Sequence, residues 1–149
     1  MSVRQDIVTA LVAGLGAITT ANGFATDCGA KVKEWEKFSD PAKDADAIHV
    51  RDVSCSPRDP DEENDNTEEQ HYKGLKLNII VLRSGGSTAE ELRTAVADIY
   101  KAIKTISWPS AFRRVEWNGD ETDVDDLNKK YGGTMITITV NYTVPAWDD

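Results

Sequence analysis

Apolar residues recur at three- and four-residue steps in two segments of the chain, a spacing typical of amphipathic helices. The first segment predicts a helix over roughly Val3 to Thr19, followed by Asn22-Gly23, a pair that tolerates the left-handed backbone. The second predicted helix starts at the capping box Ser87-Thr88-Ala89-Glu90 and stops before Pro109. The apolar faces comprise Ile7, Val8, Leu11, Leu15 and Ile18 in the first helix and Leu92, Ala95, Val96, Ile99, Ala102 and Ile103 in the second.

Alternation of apolar and polar residues predicts strands in much of the remaining chain. The clearest strand runs from Thr134 to Thr143, with one face in the core and the other in solvent. His71 to Arg83 is apolar on both faces in its later half, which indicates a central strand. Three further strands are predicted at Val32 to Trp35, Ala47 to Val53 and Arg114 to Asn118.

Two acidic segments interrupt the apolar pattern. Residues 56–70 contain two prolines and seven acids but no other apolar side chain to bury, so we expect a mobile loop there. The acids are Asp59, Asp61, Glu62, Glu63, Asp65, Glu68 and Glu69. The second segment, Gly119 to Asp126, predicts a turn and linker.

The order of these elements predicts one α+β domain over residues 1–149. We expect a mainly antiparallel or mixed sheet of four to five strands, with two main helices packed on one face.

Composition argues against several classes of protein. The formal net charge of −9 repels phosphate, so binding of nucleic acid through a basic face is not expected. No apolar run reaches the roughly 20 residues that a membrane-spanning helix needs. The opening segment also lacks the basic-then-apolar order of a signal peptide. We therefore expect synthesis in the cytoplasm, no membrane contact, and reduced thiols at Cys28 and Cys55.

Segments that resemble catalytic motifs depart from them at specific positions. Gly85-Gly86-Ser87-Thr88-Ala89 stands where a nucleophile elbow would, but the motif needs glycine in place of Ala89 and a histidine after the serine. The same segment lacks the Gly-Lys-Ser/Thr triplet of a phosphate-binding loop. Gly14-Leu15-Gly16 lies within a predicted helix and not after a strand, unlike a dinucleotide-binding turn. We expect no enzymatic activity, no catalytic residue and no cofactor.

Residues that can bind metals are present, but not at the spacing of a known site. The acids from Asp59 onward start like a calcium loop, yet Asn64 and Gln70 occupy the positions that need glycine and glutamate. The acids of 120–126 have no histidine or cysteine beside them, and the two histidines and two cysteines show no zinc-knuckle spacing. We expect no metal site.

Tryptophan favours protein interfaces because it combines a large apolar area with a polar edge. Of the four tryptophans, Trp35 and Trp117 are predicted to be at least half buried in the sheet. The candidate interface residues are the seven acids of the loop together with Trp108, Trp147 and the exposed basic pair Arg113 and Arg114, which could meet an acidic patch on a neighbour.

Taken in order, four segments resemble the tail terminator, or tail completion, proteins of siphophages and related prophages. They are the opening helix running into Asn22-Gly23-Phe24-Ala25-Thr26-Asp27, the strand Ala47-Ile48-His49-Val50-Arg51-Asp52, the helix with Arg93 followed by Val96-Ala97-Asp98-Ile99-Tyr100-Lys101-Ala102-Ile103, and the strand Met135 to Val144. The resemblance lies in the order and length of these segments and in their general pattern of residue types, and it spans nearly the whole chain.

The resemblance implies a domain that assembles as a homo-oligomer, a hexameric ring in the virion at the head-proximal end of the tail. The ring would stack on the last ring of tail tube protein, stop its polymerisation and present a surface to a head-closure or neck protein. DNA would pass through its channel without specific binding. The acidic loop would order against a neighbouring or tube subunit, or line the channel.

Two alternatives remain open. Another neck or minor tail protein, of the head-closure type, would share this size and acidity. A small ligand-binding α+β domain would need a pocket with convergent polar groups, because a fold of this kind does not by itself fix a function.

Overall fold

The structure is a computed structural model that describes residues 2–35, 47–57, 70–84, 88–124 and 131–149. Two α-helices, two short 3₁₀ turns and five strands make up the described part. The elements are α1 (Val3–Gly16), the 3₁₀ turns Thr20–Asn22 and Cys28–Ala30, β1 (Val32–Glu34), β2 (Ala47–Pro57), β3 (Gln70–Ser84), α2 (Thr88–Ile103), β4 (Phe112–Val124) and β5 (Tyr131–Pro145).

The five strands form one mixed sheet in the order β1-β2-β3-β5-β4. Only the β1–β2 pair is parallel among the described pairs. The predicted α+β class, the order of the elements and the central position of the 71–83 strand are therefore confirmed.

One face of the sheet and both helices share a hydrophobic core. In β5, Ile136, Ile138, Val140 and Tyr142 point into it, as the period-two pattern predicts. From the helices, the core receives Ile7, Val8, Leu11, Leu15, Leu92, Ala95, Ile99 and Ala102. Burial of these side chains supplies most of the free energy that holds the helices on the sheet.

Helix α1 ends at Gly16, three residues before the predicted end. The amide of Ala17 turns back to the Gly14 carbonyl at 3.3 Å, and the chain then enters the first 3₁₀ turn. The Asn-Gly pair closes that turn and not the helix, with Gly23 at φ +86° in the left-handed region. The second 3₁₀ turn then approaches α1 so closely that a β-carbon on Gly29 would lie 2.3 Å from the Leu15 carbonyl oxygen.

The predicted turn and linker from Gly119 to Asp126 is wrong for its first six residues, and its last two lie outside the described residues. Strand β4 continues to Val124, with a bulge in which the step from Trp117 to Asp120 faces the step from Ile138 to Ile136 on β5. Gly119 adopts φ +105°, a conformation that glycine tolerates and most residues do not. Because β4 lies at the edge of the sheet, its acids remain in solvent and do not oppose pairing.

The prediction that the outer face of β5 lies in solvent is wrong for the second half of that strand. Thr139 and Asn141 are each only 4% exposed. The Thr139 hydroxyl donates to the side-chain oxygen of Asn118 at 2.6 Å, and the Asn141 amide donates to the Glu116 carboxylate at 3.0 Å. Polar residues of β4 therefore cover a face that looks exposed from the sequence of β5 alone.

The strands β2 and β3 extend into the predicted acidic loop from both ends, through Pro57 and Gln70. The rest of that prediction, residues 58–69 with all seven acids, lies outside the described residues. Ser87 of the predicted capping box also lies outside them.

Candidate functional site

An apolar groove lies between α2 and the edge strand β4. It is lined by Tyr100, Ile103 and Lys104 from the helix, Val115 and Trp117 from β4, and Ile138 from β5. Its volume is about 290 Å³. A cavity of this size accommodates one large side chain or a small ligand.

The local geometry of the two elements brings these side chains together. Ile103 and Lys104 follow Tyr100 by three and four residues, so both lie on the same side as Tyr100 at the end of α2. Val115 and Trp117 are two residues apart on β4 and therefore share the face of the sheet that carries the helices. The groove remains open because β4 is the last strand on this side of the described sheet.

A chain of hydrogen bonds fixes the wall of the groove. The indole nitrogen of Trp117 donates to the Tyr100 hydroxyl at 3.0 Å, and that hydroxyl donates to the carboxylate of Asp120. Burial, followed by the bond to Asp120, raises the pKa of Tyr100, so the phenol stays protonated and keeps its donor. Asp120 reaches the groove because the bulge turns it to the same face as Trp117.

The prediction that Trp35 and Trp117 are at least half buried is wrong. Trp35 is 55% exposed and Trp117 is 66% exposed. Trp35 directly follows β1 and Trp117 lies in β4, the two outer strands of the described sheet, where fewer neighbours cover a side chain. The indole of Trp35 donates to the carboxylate of Asp52 at 2.6 Å.

The two tryptophans predicted at an interface differ in exposure. Trp147 is 90% exposed and stands in the turn after β5. Trp108 is half-buried, with its ring stacked on Phe112 at 5.0 Å between centroids. Of the two, Trp147 is exposed enough to contact another protein.

The basic pair Arg113 and Arg114 is exposed, as predicted, but each side chain has a partner within the chain. Arg114 lies 3.0 Å from the carboxylate of Glu116, and Nε of Arg113 donates to the Thr143 hydroxyl at 3.2 Å. Both residues are near the start of β4. The seven acids predicted at the interface fall outside the described residues, so their position relative to this pair is not described.

Two segments that carry the family resemblance contact each other directly. Asp98 of α2 is 5% exposed and accepts hydrogen bonds from the amides of Ala25 and Thr26 and from the Thr26 hydroxyl, at 3.2, 2.8 and 2.6 Å. One turn further along, Lys101 donates to the Gly23 carbonyl at 2.9 Å. Its ammonium also lies 4.8 Å from the centre of the Phe24 ring. The pairing of residues 22–27 with 96–103 is thus structural.

A second cleft, near the start of α1, brings Cys55 and His71 to one wall, but with different partners. The Cys55 sulfur lies 3.7 Å from the Tyr142 hydroxyl, and Nδ1 of His71 accepts from the Trp147 amide at 3.3 Å. The hydroxyl of Tyr142 also donates to the carboxylate of Asp149 at 2.8 Å. Burial is the largest cause that raises the Tyr142 pKa above its ordinary value. These contacts join β2, β3 and β5 to the residues that follow β5.

A third cleft, with a volume of about 730 Å³, is polar. It lies between the second 3₁₀ turn and the start of α2, and its lining includes the cations Lys31 and Arg83 and the acids Glu90 and Glu91. Arg83 and Glu91 approach to 3.7 Å.

Within the described ranges, histidine, cysteine, aspartate and glutamate form no group of three that could hold a metal ion. No helix among the described residues has the length and apolar character required to cross a membrane. Comparison with protein-family models finds no match, and a search of curated protein sequences finds no significant match.

Proposed function

We propose that this protein is a virion structural protein, a tail terminator that forms a ring on the tail tube of a long-tailed phage. The ring stops tube polymerisation and joins the tail to the neck, and the protein has no enzymatic role. The family resemblance supports the assignment to tails. The observation that supports ring formation is the preorganised apolar groove of Tyr100, Ile103 and Trp117 beside an open edge strand.

The groove suits a protein partner better than a reaction. Its lining is largely hydrocarbon, and its polar atoms on Trp117, Tyr100 and Asp120 are already paired with one another. A contact patch of this kind, repeated from subunit to subunit, closes a ring when the rotation between subunits is regular. The net charge of −9 is also suited to a channel through which DNA slides without being held.

The function is tested by mixing the purified protein with tail tubes of the cognate phage and imaging the tube ends by negative-stain electron microscopy. We expect a ring on one end only, and tubes that no longer elongate when tube protein is added. An unrelated acidic protein of equal size serves as the control. Bare tube ends under conditions in which the tubes themselves assemble would refute the proposal.

The acidic loop remains part of this hypothesis. Replacing its seven acids, Asp59 to Glu69, by serine and glycine should disturb tail length if the loop contacts a tube subunit or a neighbour. Normal tails from a virus carrying that variant would show that the loop has no part in length control.

A terminator can be distinguished from a head-closure protein by two observations. These are a gene position beside the gene of the tube protein, and binding of the protein to tubes.

The ligand-binding alternative is favoured by one observation, the polar cleft lined by Lys31, Arg83, Glu90 and Glu91. Groups of both signs that converge on a cavity are typical of small-molecule sites. A saturable rise in melting temperature with a small charged metabolite, abolished in an Arg83→Ala variant, would favour this alternative over the ring.

A further inference from the structure

We propose that neighbouring subunits join by a knob and a groove, in which Trp147 of one copy inserts into the groove of Tyr100, Ile103, Val115 and Trp117 on the next copy. The proposal rests on the self-assembly proposed above and names the contact that makes it. The occupant of the groove is thus a second copy of this chain.

The knob is an exposed indole that the turn holds away from the sheet. Trp147 adopts φ +67°, which is costly for a bulky residue and needs local contacts to hold it. Its amide donates to Nδ1 of His71, and the two rings meet edge-on with centroids 5.1 Å apart. These contacts fix the backbone and leave 90% of the residue in solvent.

Trp147 cannot reach the groove of its own chain. The groove contacts β5 at Ile138, whereas Trp147 follows the end of that strand at Pro145. The intervening strand rises by roughly 23 Å at about 3.3 Å per residue. Knob and groove are therefore separate patches of one molecule, and a contact between them is heterologous, the kind that generates a ring.

Charges flanking the two patches are complementary. Lys104 lines the groove and is exposed at the end of α2, while Asp148 directly follows the knob and is also exposed. Insertion of Trp147 places an acid next to that lysine, and such pairs align an interface and speed association.

The two other exposed tryptophans of the described chain are less suited to be the knob. Trp35 is bound to Asp52 and lies 6.0 Å from the guanidinium of Arg51, and Trp117 forms the groove wall itself. Addition of a strand to β4 is opposed by the bulge and by the exposed acids Glu121 and Asp123, features that protect sheet edges. The side-chain groove is thus the more accessible contact site on this edge.

The contact is tested by zero-length carbodiimide cross-linking of a concentrated mixture of ¹⁴N- and ¹⁵N-labelled protein. Mass spectrometry should find Lys104 joined to Asp148 in peptides that combine the two labels, which identifies a bond between copies. We expect Trp147→Ala to lower the yield at least ten-fold and Trp35→Ala, which removes another exposed indole, to leave it unchanged. Absence of the mixed-label product from the unmodified protein, or a yield unaffected by Trp147→Ala, would overturn the proposal.

Complementation tests the heterologous geometry. Trp117→Glu removes the groove wall but keeps the knob, and Trp147→Ala does the opposite. A mixture of the two variants should form dimers and no rings, because one intact contact remains per pair of subunits. Circular dichroism verifies that both variants are folded, and Lys104→Glu combined with Asp148→Lys should restore the assembly that each single change weakens.

The two proposals fail separately. If the Trp147→Ala variant caps tube ends as the unmodified protein does, the knob is wrong and the terminator role stands. If Lys104 and Asp148 are joined between copies but tube ends stay bare, the contact stands and the terminator role is wrong.

Discussion

Asp98 shows how a single buried carboxylate can organise a loop. Two backbone amides and one hydroxyl donate to it, and charge-assisted bonds of this kind are stronger than neutral ones. Helical periodicity places Asp98 near the apolar stripe of α2, but periodicity cannot show that its partners lie more than 70 residues earlier in the chain. The sequence therefore predicts the helix and not the contact.

Replacing Asp98 by alanine should lower the free energy of unfolding by about 2–4 kcal/mol, because the donors of Ala25 and Thr26 lose their acceptor in a buried site. Urea denaturation followed by circular dichroism measures the change. The Asp98→Asn variant keeps one acceptor oxygen and should lower the free energy of unfolding by less than Asp98→Ala does. Glu121→Ala, on the exposed edge, should change stability by less than about 0.5 kcal/mol. Equal stability of Asp98→Ala and the parent would contradict this account.

The buried thiol of Cys28 should make the folded protein less stable at alkaline pH. Burial is the largest cause that raises the pKa of its thiol above the ordinary value for cysteine. The unfolded thiol therefore ionises at a lower pH than the folded one, and stability that is fully present below about pH 9 is lost as the pH rises toward the folded pKa.

The Cys28→Ala variant isolates this effect from other groups that titrate in the same range. Above pH 9 the stability of the parent should fall more steeply, by up to about 1.4 kcal/mol per pH unit, than that of the variant. Denaturant melts from pH 7 to pH 10.5 measure the two slopes. Parallel slopes would show that the thiol ionises equally in both states.

At the scale of elements, β4 departs most from the predicted structure. Its sequence alternates only from Arg114 to Asn118, and Gly119-Asp120 looks like a turn. The bulge, however, allows pairing to resume at Asp120 and continue to Val124. Pairing with β5 depends on a neighbour that is remote in sequence, so local pattern alone cannot predict the full strand.

The acids of β4 should protect the sheet edge from pairing with another chain. Replacing Glu121 and Asp123 by valine removes two charges from an open strand and adds residues that favour β-structure. We expect faster aggregation, measured by light scattering at 37 °C. The matched pair Glu121→Gln and Asp123→Asn loses the same charge but stays polar and should aggregate less. Similar rates for the valine pair and the parent would argue against a protective role.

At the scale of the whole molecule, periodicity predicts the α+β class, the order of the elements and the central strand, because each depends on burial along one element. The groove, in contrast, depends on how α2 crosses β4 and on the bulge, which shifts the alternation of side chains along β4. The sequence predicts a Trp117 that is at least half buried, because its alternation with polar neighbours is that of a core residue and the local pattern does not show that β4 is an edge strand. Residue type alone makes Trp147 an interface candidate, and its role at an interface stays a prediction.

The charge of the molecule predicts how it behaves toward DNA. With a net charge of −9, it should give no mobility shift with duplex DNA at about 100 µM protein and 150 mM salt, a concentration at which basic proteins of this size bind without sequence preference. A small basic protein is the positive control. A mobility shift that weakens steeply with added salt would show that the protein has a basic surface that binds DNA. It would exclude a channel through which DNA slides without being held.

The bulge in β4 also constrains how the gene can change in length. The extra residue at 118–119 keeps Trp117, Asp120 and Val124 on the helix face although their spacing does not follow simple alternation. Loss of that one codon would remove the bulge and leave Asp120 two residues after Trp117, so the later side chains of the strand would keep their faces. Loss of two codons would put Asp120 directly after Trp117, which turns it and every later side chain to the opposite face and removes Asp120 from Tyr100. Related genes should therefore be able to lose one residue here, and the loss of two codons should be more damaging than a single-codon deletion.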